Sequence, residues 1–214
     1  MTATQTSSSK TVSGIIAFLG WFALIAQFVL MFDARTTAVG EMIVRYFSYF
    51  TILSNGLVTF YCTFIFFPSP SSLRHFFSRV TTATAIVVYI AVVGLVYNTI
   101  LRLLWNPEGT QQLVNEMLHT FIPLAFVLYW LFFVPKKELT WTSFFPWLIF
   151  PFLYCLYILI RGSFSHFYPY PFMDVQQLGY LKVIRNSVLV TFVFMGFSLV
   201  FIGIAKMRNQ KSES

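Results

Sequence analysis

The chain has 214 residues, 57% of them hydrophobic and only 10% charged, a balance that a soluble domain of this length could not keep off its surface. A net charge of +7 would suit a nucleic-acid partner, but the bases are scattered at the ends of apolar segments and form no stripe, which argues against that class. They read instead as topology signals for a chain whose solvent is lipid.

Residues 1–10 form a Ser/Thr-rich start that ends in Lys10 and is expected to be a disordered cytoplasmic segment. The apolar run that follows exceeds a signal-peptide core and has no small-x-small cleavage site close behind it, so it reads as a retained first helix. Six apolar stretches then run Thr11 to Phe32, Tyr46 to Phe67, Val80 to Leu104, Leu113 to Val134, Ser143 to Ile160 and Val183 to Ala205. Each is near the roughly 20 residues that a bilayer requires of a helix. None alternates as a barrel strand would, and inside hydrocarbon only helices or closed barrels satisfy the backbone. The expected fold is therefore all-α, a polytopic six-transmembrane bundle over 11–205, with 206–214 as a cytoplasmic tail. Punctuation falls between the runs at Pro68 and Pro70, Asn106 to Gly109, Pro135 to Lys137, and in the 161–182 segment with Pro169 and Pro171.

Lys10, Arg74, Arg79, Lys136, Lys137, Lys206, Arg208 and Lys211 share one side of this weave. On the other side Arg35, Arg45, Arg102, Arg161 and Lys182 are accompanied by Asp33, Glu41, Glu108 and Asp174. The Lys/Arg bias predicts both termini inside. Cys62 and Cys155 lie within apolar runs, where a thiol acts as a small hydrophobe and carries no redox information.

Polar side chains in hydrocarbon are costly and each is a functional hypothesis. Helix two carries Ser48, Thr51 and Asn55 on one face of its first turns. Helix three ends on Asn98 and Arg102, and helix four opens with Asn115, Glu116 and His119. Helix five closes on Tyr157 and Arg161, and helix six opens with Arg185 and Asn186. All fall in the outer part of the bundle, and Thr51 and His119 match in depth at roughly 8 to 9 Å below the expected starts of their helices. Each has a plainer reading: Thr51 bonded back to its own helix, the cations snorkelling to headgroups, Tyr154 and Tyr157 as packing aromatics. Convergence sets the group apart. One intramembrane His, with His75 and His166 expected in loops on opposite sides, predicts no metal or other cofactor. A hydroxyl, an imidazole and neighbouring cations suffice for acyl transfer, with His as base and Arg or Asn as oxyanion donors.

Tyr49-Phe50-Thr51-Ile52, Asn115 to Pro123 and Tyr168-Pro-Tyr-Pro-Phe172 resemble segments of the androgen-induced threonine hydrolase family of six-helix membrane proteins. The likeness is closer to that family's bacterial relatives, the Pr-six-Pr proteins, and covers roughly helix two to the start of helix six. The resemblance implies Thr51 as nucleophile and His119 as its base, a lipid ester such as a fatty acid ester of a hydroxy fatty acid as substrate, and a bacterial inner membrane as location. Asn55, Asn98, Arg102, Asn115 and Arg185 are the expected substrate contacts; the expected partners are membrane lipids, with no nucleic acid. A small transporter or lipid-binding protein using the same polar cluster is the alternative.

Overall fold

The computed structural model describes residues 6–67, 71–137 and 139–211. The first five residues, Pro68, Pro70 and residues 212–214 lie outside the described residues, and with them the disorder expected over the first five residues and the punctuation expected at Pro68 and Pro70. Helices account for the regular structure, and no strand occurs among the described residues. Five helical spans are long and apolar enough to cross a bilayer: Ser7–Asp33 (α1), Val80–Leu103 (α5, Val80–Thr99, with a 3₁₀ turn), Gly109–Phe133 (α6 and α7), Trp141–Ser165 (α8, Phe144–Trp147, and α9) and Tyr180–Asn209 (within α11, which follows the short helix α10, Val175–Leu178). Val39–Phe47 (α2) and Phe50–Phe66 (α3), bent by 71° at the break between them, are together long and apolar enough for a sixth, broken span.

The ends of the chain depart from expectation. Helix α1 begins at Ser7 rather than Thr11 because the Thr6 side chain caps it, accepting from the Ser9 N–H at 3.2 Å. At the other end α11 runs Tyr180–Lys211, so the expected tail is helical as far as residue 211. Its last turns are tied to the α7–α8 connection: Arg208 donates to the Leu131 carbonyl, and Asn209 Nδ2 to Lys136 O at 3.0 Å. Lys136 closes the C-terminus of α7 (Ile122–Phe133), its ammonium donating to the carbonyls of Trp130, Leu131 and Val134 at 2.8, 3.1 and 2.6 Å. His75 sits on a short helix, α4 (Ser72–Phe77), capped by Ser71, rather than in a loop.

Helix α5 is the axis of the bundle. Two-thirds (67%) of its most apolar stretch is buried, against 22–28% for α1, the α8–α9 span and α11, which carry the lipid-facing surface. It packs on α3, α7 and α11. Helices α1 and α3 pack tightly against each other, Gly20 letting Thr59 approach to where a Cβ would be 2.1 Å from its Oγ1. Helix α9 (Ile149–Ser165) stands off from α11, leaving room between them.

Two departures from α geometry position the site. In the second span the chain is extended at Tyr49, the N-cap of α3, which orphans backbone groups that hydrocarbon cannot satisfy. Tyr154 OH takes one of them, donating to Ser48 O at 2.8 Å, and Tyr157 OH lies 3.3 Å from the Ser48 hydroxyl, which donates to Val44 O. In the fourth span a π turn over Met117–Phe121 separates α6 (Gly109–Glu116) from α7, and Ile122 N–H bonds Met117 O instead of Leu118 O. Pro123 then brings no N–H toward His119 O.

Candidate active site

The break in the second span moves Thr51 from mid-helix to the second position of α3, where its N–H has no carbonyl four residues back to bond and the helix dipole is positive. Ser48 is left on the far side of the break, so the expected Ser48–Thr51–Asn55 stripe is corrected to Thr51 and Asn55 alone. Across the bundle the π turn aims His119 inward. Thr51 Oγ1 lies 3.2 Å from His119 Nε2 and 3.3 Å from Tyr170 OH. Thr51 has no bond back to its own helix, unlike Thr59, Thr63, Thr84, Thr99 and Thr191, each of which donates to the carbonyl four residues before it.

Proton positions follow from the partners. His119 Nδ1 lies 2.9 Å from Asn115 O, which can only accept, so Nδ1 carries the proton and neutral Nε2 presents a lone pair to Thr51. Thr51 O–H therefore donates to Nε2, Tyr170 O–H donates to Thr51 Oγ1, and Thr51 N–H donates to the Tyr170 oxygen at 3.3 Å. Burial, offset in part by the bonds to Thr51, pushes the Tyr170 phenol up to about 12, so it stays protonated through the neutral range. The His119 ring also stacks on Tyr97, with centroids 4.1 Å apart, and Asn115 Nδ2 donates to Tyr97 OH.

Carbonyls released by the π turn and by Pro123 are taken by the amides that the sequence singled out. Asn55 Nδ2 donates to Leu118 O and Thr51 O, both at 2.9 Å, and Asn98 Nδ2 donates to His119 O at 3.4 Å. Both amides thus hold the backbone of the pair. Their expected role as substrate contacts is corrected: neither lines the cavities at the site, and both Asn55 donors are in use. Arg102 is also removed from the site, because Glu116 pairs with it at 2.5 Å and it lies over the Tyr97 ring, on the exposed side of the bundle. Arg185 is exposed and lines neither cavity. Of the expected contacts only Asn115 does.

Two cavities meet at Thr51, His119 and Tyr170. One, about 310 Å³, lies between α5, α9 and α11 and is walled by Val92, Val96, Phe152, Cys155, Val188 and Phe194. The other, about 430 Å³, is walled by Leu30, Met31, Trp105, Gln27, Gln111 and Asn115. Among the described residues no three of His, Cys, Asp or Glu converge as metal ligands would.

Tyr170 and Tyr97 are the members that sequence reasoning missed. Tyr170 was legible only as the centre of a Pro-Tyr-Pro segment, whose two prolines stiffen the chain around it. Its loop is pinned by three contacts: Asn186 Nδ2 donates to Phe172 O at 2.9 Å, Tyr168 rests on Gly162, and Phe167 lies under the guanidiniums of Arg45 and Arg161. Both arginines reach the same oxygen of Glu41 at 2.7 Å, which places them at the loop rather than snorkelling singly. No family model, curated protein or solved structure matches this chain.

Proposed function

We propose that the protein is an intramembrane hydrolase of lipid esters with Thr51 as nucleophile and His119 as general base. The observation that carries this reading is the 3.2 Å contact between Thr51 Oγ1 and a His119 Nε2 left basic by the Asn115 carbonyl on the other ring nitrogen. Two cavities on either side of that contact suit an ester with two arms, the reacting carbonyl lying over Thr51.

In this mechanism Thr51 gives its proton to His119 Nε2 as Oγ1 adds to the ester carbonyl carbon. Tyr170 OH and the N-terminus of α3 supply the dipoles that favour the resulting oxyanion. Collapse of the adduct breaks the bond to the alcohol oxygen, which takes the proton from His119. A water, deprotonated by His119, then adds to the acyl-threonine carbonyl and releases the fatty acid and free Thr51. Esters of hydroxy fatty acids are the class implied by the resemblance to the threonine hydrolases. With both termini inside, as the Lys/Arg bias expects, the site faces the outer leaflet of a bacterial inner membrane.

A fluorophosphonate probe tests the nucleophile. Wild-type protein in lipid nanodiscs should label at Thr51 and hydrolyse a long-chain ester, and Thr51→Ala and His119→Gln should each lose both properties. Full hydrolysis by folded Thr51→Ala would sink the reading. The second reading, a lipid-binding or transport protein, is favoured by the broken second span beside two joined cavities; it expects ligand movement across the bilayer with no acylated Thr51.

A further inference from the structure

The two cavities differ in chemistry, and the difference bears on the alcohol half of the substrate. Around the 310 Å³ cavity the polar groups away from the Thr51–His119–Tyr170 junction are already spent: Ser187 and Thr191 bond their own helix and Tyr154 bonds Ser48 O. What remains is an apolar slot between two helices that stand apart, suited to an acyl chain. The 430 Å³ cavity instead carries three carboxamides, Gln27, Gln111 and Asn115. Gln111, Asn115 and His119 follow at four-residue intervals, so amides line the wall leading away from the base, Gln111 at roughly 12 Å by helical rise.

Gln111 Nε2 donates to Gln27 Oε1 at 2.9 Å, bridging α6 to α1. This uses one donor and one acceptor of the two amides, and no other hydrogen bond of either is made within the described residues. Carboxamides that can still both donate and accept match hydroxyl groups, which do the same. Among the described residues no Lys or Arg lines either cavity, and Arg102, next to the wall residue Leu101, is held by Glu116. A carboxylate drawn into such a cavity would lose its hydration without gaining a counter-charge. We propose, building on the hydrolase reading but departing from the hydroxy fatty acid esters that the resemblance implies, that the ester's alcohol half is an uncharged, hydroxyl-bearing group of glycerol type seated against Asn115 and the Gln27–Gln111 pair, with the acyl chain in the apolar cavity.

The test compares three esters of one acyl chain with full-length protein in nanodiscs, reading oleate release: 1-oleoylglycerol, ethyl oleate, and the oleoyl ester of 9-hydroxystearic acid. The expected kcat/KM is about tenfold higher for 1-oleoylglycerol than for either of the others, the size of effect that one or two neutral hydrogen bonds give. Gln111→Leu should close that gap, and Gln111→Arg should turn the preference toward the carboxylate-bearing ester. Wild-type preference for the carboxylate-bearing ester, or a gap that a folded Gln111→Leu leaves intact, overturns the proposal while the hydrolase stands. If no ester is cleaved, the hydrolase reading fails, and binding of 1-O-hexadecylglycerol against hexadecyl ethyl ether, read by tryptophan fluorescence, decides the cavity. Tenfold tighter binding of the glycerol ether supports the assignment, and equal binding overturns it.

Discussion

Replacing Gly162 by alanine should separate the working of the site from the stability of its scaffold. A Cβ built there would lie 2.1 Å from Cε1 and 2.3 Å from Cζ of Tyr168, where an ordinary contact is 3.4–4 Å. The Tyr168 ring must retreat by about 1.3 Å, the difference between 3.4 and 2.1 Å. Pro169, with its fixed φ, passes that shift to Tyr170. The bonds from Tyr170 to Thr51 are already 3.3 Å long and have little slack, since such a contact ceases to be a hydrogen bond near ~3.6 Å. Overpacking costs about 1–3 kcal/mol, and losing a helical glycine returns about 0.8–1 kcal/mol. The net loss of about 0–2 kcal/mol corresponds to a Tm lower by at most ~8 °C. Misplacement of a catalytic group by about an ångström, in contrast, costs on the order of 100-fold in rate. The assay is the rate of Thr51 labelling by a fluorophosphonate, measured beside thermal unfolding of the same nanodisc preparation. Gly196→Ala, where the added Cβ meets nothing within 4 Å, is the matched control and should keep full activity. A Gly162→Ala protein that labels at the wild-type rate would refute the claim that the Tyr168 contact positions Tyr170.

Removing the Tyr170 hydroxyl with Tyr170→Phe should lower the hydrolytic rate by about 10²-fold, as loss of one oxyanion donor does, with little change in KM; an unchanged kcat would remove Tyr170 from the mechanism. Pro123→Ala returns an N–H able to bond His119 O in competition with Asn98, so the helix should gain stability while activity drops. Unfolding temperature and turnover, measured together, would show the two moving in opposite directions. Lys136 gives a pH signature. Burial, with a smaller contribution from the Arg208 charge, lowers its ammonium from the usual 10.5 to about 8. Between those values the unfolded chain binds more protons, so stability should rise as pH increases from 8 toward 10.5 and be independent of this group below 8. Lys136→Met should flatten that rise in a Tm-versus-pH series, and an unaltered slope would assign it to another group.

Hydropathy and length were enough to place the spans, because the bilayer imposes a local demand that each segment meets by itself. The expected first, fifth and sixth stretches fall inside observed spans, and the third and fourth overrun theirs by one residue, Leu104 and Val134. Thr51 and His119 lie 3.2 Å apart, but not through equal depth along unbroken helices: α3 begins at Phe50, one residue before Thr51, and the fourth span begins at Gly109, well before His119. The break at Ser48–Tyr49 was not legible: no Gly or Pro marks it, and it persists because Tyr154 of another span takes the Ser48 carbonyl and Tyr170 accepts from the Thr51 N–H. The π turn, the turning of Asn55 and Asn98 toward backbone carbonyls, the capture of Arg102 by Glu116 and the arrival of Tyr170 from a loop are likewise non-local. Sequence alone determined that this chain is a bundle of membrane-spanning helices and which costly polar residues lie within its apolar stretches. Only the tertiary structure decided which of those residues face one another, because a side chain's partner in hydrocarbon is chosen by whichever neighbouring helix leaves a donor or acceptor unpaired.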